Sequence, residues 1–227
     1  MLLGLLLVNQ YAQGPLSSSD QAISQAFHAF RTPFLTAVSL CITLFAQAST
    51  ILPLSVLLLA FLYIRQQRWL AIQFTLSMIL SESFTFLGKL FFHRERPDEL
   101  FRLLAETSYA FPSGHATTAA AFYGCILLLI LRSSKQPLVR ALAIIKITCL
   151  VLAIGLSRIY LGVHYPTDVI AGIMIGALGV LVSIPITNSL FADKPANPTL
   201  PISISAVLLF TMISITLVAL TFLSKAF

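Results

Sequence analysis

The chain has 227 residues, 58% hydrophobic and 10% charged, with a formal net charge of +6 from 14 Lys+Arg against 8 Asp+Glu. A soluble domain carries about 25% charge, so this composition excludes a water-soluble enzyme, and it is the opposite of what intrinsic disorder requires. The basic residues stand between apolar runs rather than on a soluble face or tail, which points to lipid headgroups and phosphates as partners and not to nucleic acid.

A helical span needs about 20 apolar residues, and the sequence predicts an all-α, polytopic transmembrane bundle of about six spans, a single domain over 1–227. Met1–Val8 is apolar but short, and it has neither the basic leader nor the core length of a signal peptide. The segment 33–45 is too short to span alone and reads as an interfacial or re-entrant helix on the active-site face. A span beginning near Ala46 carries Pro53 in its first turns, where a missing amide donor is tolerable. Further spans are expected at 69–91, 114–131, 138–156 and 166–187, and a last one at 201–223 after the polar linker 193–198. Arg65 and Arg68 fill one short loop, and Arg132, Lys135 and Arg140 fill another two spans later. The positive-inside rule makes that side cytoplasmic and turns the loops 92–113 and 157–165 to the periplasm or cell exterior.

Three polar clusters stand at span ends, all on the outward side. They are Lys89 to Pro97, Tyr109 to His115, and Ser157 to Asp168. Spans 114–131 and 138–156 form a hairpin, so the chain returns to one face and the clusters can meet. Lys89, Arg96 and Arg158 supply cations, and an arginine fork holds two phosphate oxygens at once. Ser113 and Gly114 open a long helix whose free amides and dipole favour an anion, and His115 follows in its first turn. His164 and Asp168 stand four apart, a spacing that lets the carboxylate orient the imidazole. The division of labour this suggests has His164 attacking phosphorus and His115 protonating the leaving group, then activating water. The cations and the helix start neutralise the transferring phosphoryl group, so the expected chemistry needs no metal and no cofactor.

These residues follow the pattern K-x6-R-P, P-S-G-H and S-R-x5-H-x3-D, carried here by Lys89/Arg96/Pro97, Pro112–His115 and Ser157/Arg158/His164/Asp168. The chain thereby resembles the type 2 phosphatidic acid phosphatase superfamily. The resemblance runs from about 45 to 187 and implies phosphohistidine chemistry on lipid phosphates or diphosphates. The short N-terminal apolar segment and the added span at 201–223 depart from the family's usual form. Candidate substrates are phosphatidylglycerol phosphate, phosphatidic acid, undecaprenyl diphosphate and the lipid A 1-phosphate. The first and third suit a bacterial cytoplasmic-membrane member acting on the outer leaflet, expected to be a monomer. Two other readings stay open at this point: a phosphotransferase passing the group to a second lipid, and a non-catalytic scaffold or transporter.

Other residues receive structural readings. Arg94 and Arg102 are expected at solvated headgroups, His93 beside the site without a part in it, and His28 in an interfacial role. Glu82, in mid-span, is expected to face the bundle rather than lipid. Tyr109, Phe111, Tyr160 and Tyr165 are candidates for an acyl-chain entrance. Gly172 and Gly176 are expected to pack helices within the monomer, and Cys41, Cys125 and Cys149 to be buried packing residues.

Overall fold

The computed structural model describes residues 15–191, together with 213, 216 and 218–221. The apolar N-terminal segment, the linker at 193–198 and most of the expected last span lie outside the described residues. The helices are α1 (Pro15–Ala29), α2 (Pro33–Leu44), α3 (Ala48–Ile64), α4 (Arg68–Phe92), α5 (Gly114–Ser133), α6 (Pro137–Tyr160) and α7 (Pro166–Leu190), with a 3-10 turn at Glu99–Phe101. The four spans expected from 69 to 187 are thus present with boundaries within a few residues. Pro33–Ile64 and α4 to α7 are each long and apolar enough to cross a membrane. At 25 residues, α4 and α7 run about 37 Å, longer than the hydrocarbon core, so their ends reach headgroup depth.

Prolines set three of the starts. Pro33, Pro137 and Pro166 each stand at a first helical position, where the missing amide hydrogen has no partner to lose. Thr32 caps α2 by accepting from Leu35 N at 3.2 Å. The α2 helix meets the last turn of α6 along its whole length. Thr32 and Thr36 bond the Tyr160 hydroxyl, Leu40 packs on Tyr160, Leu161 and Val163, and Thr43 takes Arg158 at 2.9 Å. These contacts with the short stretch 158–163 set α2 against the end of α6.

The centre of the bundle is α7, packed chiefly on α5 and α4. Glycines permit this approach. A methyl group on Gly172 would lie 2.5 Å from the Ser113 carbonyl oxygen, and one on Gly176 would collide with the Thr117 carbonyl. One on Gly179 would collide with the Ser81 hydroxyl. The glycine stripe therefore serves packing within the chain, and it sets the starts of α5 and α7 side by side. Cys125 is buried in this packing, whereas Cys149 is exposed on α6, contrary to expectation.

A Gly176→Leu substitution is expected to destabilise the bundle by about 1–3 kcal/mol, while Gly114→Ala, where a methyl meets nothing within 4 Å, leaves stability unchanged. Thermal unfolding of the detergent-purified variants reads the difference.

Candidate functional site

The end of α6 explains the spacing from Arg158 to His164. Gly162 N donates to Ile159 O at 2.9 Å and Val163 N to Arg158 O at 3.2 Å, the two bonds of a Schellman cap. Gly162 takes φ +73°, and a side chain there would collide with the Phe101 carbonyl, so glycine is required twice over. The turn brings His164 back beside the helix that carries Arg158. Two residues later α7 begins, and the Asp168 carboxylate accepts from Tyr165 N at 2.8 Å, the acidic half of a capping box. His164 and Asp168 are thereby fixed by helix-terminal geometry before any contact between them.

His164 is 2% exposed and Asp168 fully buried. Nδ1 of the histidine lies 3.4 Å from Asp168 Oδ2, an electrostatic contact slightly longer than a formed hydrogen bond. Nε2 lies 3.3 Å from Arg96 NH1. An arginine only donates, so Nε2 carries the lone pair and Nδ1 the proton facing the carboxylate. Burial first, then the charges of Arg158, Arg96 and Lys89, hold the His164 imidazole well below its usual titration range. It is therefore neutral, with its lone pair among cations.

Those cations come from separate segments. Arg96 leaves the loop after α4 and is held by Ser108 O at 2.7 Å, Ser108 Oγ at 3.0 Å and Val163 O at 2.7 Å. Lys89, in the last turn of α4, donates to the Tyr109 carbonyl and lies 3.5 Å from Ser108 Oγ. Arg158, 1% exposed, bonds Thr43 and, at 2.5 Å, Glu106 Oε1. Glu106 Oε2 also stands 3.6 Å from Arg96 NH2. Ser113 N donates to Asp168 O at 3.0 Å, joining the start of α5 to the start of α7, and Gly114 adjoins open space. His115 lines a cavity of about 530 Å³ together with Arg158, Glu106, Thr43 and apolar residues that include Leu40, Leu44 and Leu104. All eight sequence-derived site residues thus stand at one end of the bundle. Three of their buried polar atoms, Ser113 Oγ, Arg158 Nε and His164 Nδ1, have no hydrogen-bond partner, a costly condition that an anion seated there would relieve for Ser113 and Arg158, while His164 Nδ1 faces Asp168.

Other expectations are corrected. Arg94 is not solvated: its side chain is 9% exposed and bridges two buried carboxylates, with NH1 2.5 Å from Asp168 Oδ1 and NH2 2.7 Å from Asp20 Oδ2. Asp20, on α1, also accepts from Thr167 N at 3.1 Å and from its hydroxyl at 2.5 Å. Sequence reasoning missed both residues, because 74 positions separate each carboxylate from the arginine. Arg102 braces its own loop through Pro97 O at 2.6 Å. The Glu82 expectation is met in part: the residue is exposed on α4, while one carboxylate oxygen takes the hydroxyl of Thr118 on the neighbouring α5 at 2.6 Å. None of the four aromatics lines the cavity. Phe111 is buried on Phe92, Tyr160 braces α2, Tyr165 lies under Arg94, and Tyr109 meets His93, which stays outside the site. The cavity wall comes instead from α2 and the segment 103–106.

Comparison with known proteins bears on this arrangement. The profile of the PAP2 superfamily matches residues 70–192. Phosphatidylglycerophosphatase B of Bacillus subtilis (strain 168) is 31% identical over 179 residues, which cover 77% of this chain and 86% of that protein. The crystal structure of a transmembrane PAP2-type phosphatidylglycerolphosphate phosphatase from Bacillus subtilis superposes with a TM-score of 0.74 at 28% identity, covering 83% of this chain and 94% of that one. The structure of Aquifex aeolicus LpxE shares the fold, with a TM-score of 0.59 at 24% identity over 73% of this chain and 94% of its own. With its motifs gathered at one end of a bundle of this architecture, the chain belongs to the PAP2 superfamily.

Proposed function

We propose that this PAP2 membrane lipid phosphatase removes the terminal phosphate of a lipid phosphomonoester or diphosphate, with phosphatidylglycerol phosphate as the favoured substrate, through a phosphohistidine on His164. The observation that carries the reading is the convergence of Lys89, Arg96 and Arg158 on one neutral, carboxylate-backed histidine, with Arg158 also lining the cavity that holds His115. The substrate preference rests on the similarity to the Bacillus subtilis enzyme named for that lipid.

The terminal phosphoryl group takes its place between the two guanidiniums, with Lys89 as a third charge. His164 Nε2 attacks phosphorus, the P–O bond to the lipid breaks, and His115 gives its proton to the leaving oxygen. Asp168 stabilises the positive charge that develops on the ring. His115 then takes a proton from water, the water oxygen displaces His164 from phosphorus, and orthophosphate leaves. The charge on the transferring group is met throughout by fixed cations in a water-poor setting, where such interactions are strong. The acyl chain lies along Leu40, Leu44 and Leu104, so the lipid reaches the site from the side, between helices.

Wild-type protein is expected to release orthophosphate from phosphatidylglycerol phosphate with EDTA present, and His164→Ala to lose at least about a thousandfold in rate. Labelled acceptor lipid in place of orthophosphate would mark a transferase instead. Arg96→Gln removes a cation from the side of His164, so the imidazole takes up a proton at higher pH. The acid limb of kcat/KM should therefore move upward in this variant, besides any loss in rate. Leu104→Trp, which fills the cavity, is expected to raise KM for long-chain lipid phosphates about tenfold, the effect of a few lost methylene contacts, with little change for a short water-soluble phosphate ester. Equal effects on both substrates would refute lateral access.

A further inference from the structure

The arginines of the phosphate site already hold an anion, and it belongs to the protein. Glu106 presents Oε1 to Arg158 NH2 at 2.5 Å and Oε2 to Arg96 NH2 at 3.6 Å, bridging the two guanidiniums as two oxygens of a phosphate would. Arg94 differs, since both its charged partners, Asp20 and Asp168, are buried beneath the site. Glu106 is the most accessible member of the ion-paired set around His164, at 27% against 1% for Arg158 and 4% for Arg96, and it lines the cavity that holds His115. Its segment is pinned on either side. Leu103 N donates to Leu161 O at 2.9 Å, and Ser108 O takes Arg96 at 2.7 Å. These anchors hold the loop ends independently of the Glu106 side chain.

Resting on the phosphatase reading of this site, we propose that Glu106 is a specificity-determining residue, an internal carboxylate that occupies the phosphate seat and keeps singly charged phosphodiester headgroups from filling it. A phosphodiester brings one negative charge, no more than the carboxylate it would replace, so the exchange gains no electrostatic energy. A terminal phosphate brings up to two charges and exchanges at a profit. Burial alone would push the Glu106 carboxyl up, but the charges of Arg158 and Arg96 outweigh it and keep the group ionised, so the seat is held across the neutral range. A seat held by its own side chain nine-tenths of the time weakens every competing ligand about tenfold. That threshold matters most for the ligands present in greatest excess, the phosphodiester lipids of the surrounding bilayer. Hydrolysis of phosphatidylglycerol phosphate itself leaves a phosphodiester, so the same device helps to clear the product.

The test compares wild type, Glu106→Gln and Glu106→Asp in detergent. The probes are a long-chain alkylphosphonate, doubly charged at alkaline pH and not hydrolysable, and its singly charged monomethyl ester, with affinities read from ligand-induced thermal stabilisation. Glu106→Gln keeps the size and loses the charge, and it should bind the monomethyl ester about tenfold more tightly than wild type. Its turnover of a lipid phosphomonoester should also become inhibited by added phosphatidylglycerol at concentrations that leave wild type unaffected. Glu106→Asp keeps the charge and should retain the weak binding of the monomethyl ester. Unchanged affinity in Glu106→Gln, or equal tightening in both variants, would overturn the proposal. So would a loss of turnover in Glu106→Gln with no change in ligand binding, which would place Glu106 in the chemistry instead. Binding is read without turnover, so a wild type that bound the phosphonate yet released no phosphate from any lipid would refute the phosphatase reading alone.

Discussion

Asp168 is wholly buried beside a neutral histidine, and Arg94 makes that placement possible. Taking an unpaired carboxylate out of water costs on the order of several kcal/mol. Arg94 meets the cost with one arm on Asp168 and the other on Asp20, while Tyr165 N and Asp20's bonds to Thr167 fix the surrounding backbone. With the carboxylate held there, the His164 ring has one orientation, its lone pair turns toward Arg96, and the remaining cations gather about that point. Without the bridge, the start of α7 would carry a buried charge with too little to balance it, and the neighbouring start of α5 would lose its fixed partner.

The residues legible in the sequence are those whose geometry is local. The placement of Ser157 to Asp168 is legible because a helix cap, a glycine turn and a helix start fix it within twelve consecutive positions, and that of Pro112–His115 because it opens a single helix. The apolar runs reveal the spans for the same reason: bilayer thickness sets their length independently of what packs beside them. Partnership across the fold is where the reading fails. Asp20 lies in a polar stretch with no periodic signal, and nothing near Arg94 distinguishes it from a headgroup-facing arginine. Glu106 stands in a loop that no motif crosses. Leu40 and Leu44 line the cavity only because α2 lies over the end of α6, a placement that depends on Tyr160 and Arg158 more than a hundred positions away.

The polar end and the apolar flank of the site answer to different demands. On the proposed mechanism, Lys89, Arg96, Arg158, His115 and His164 deal with a phosphoryl group, which is the same in every lipid phosphate. The wall formed by α2 and residues 103–106 deals with whatever is attached to it. Family resemblance is therefore most informative about the reaction and least informative about the tail, since the matched profile begins at residue 70 and α2 precedes it.

Asp20 belongs to the first described helix and Asp168 to the last helix of the continuous stretch, and one guanidinium ties them together. The reaction centre is thus closed by a clasp between the earliest and latest parts of this stretch to leave the ribosome. Threading of the intervening helices into the bilayer is not sufficient to arm it; the clasp fastens only after α7 has arrived. On the proposed mechanism, a nascent chain therefore crosses much of its synthesis without a completed nucleophile in a membrane crowded with phosphate esters.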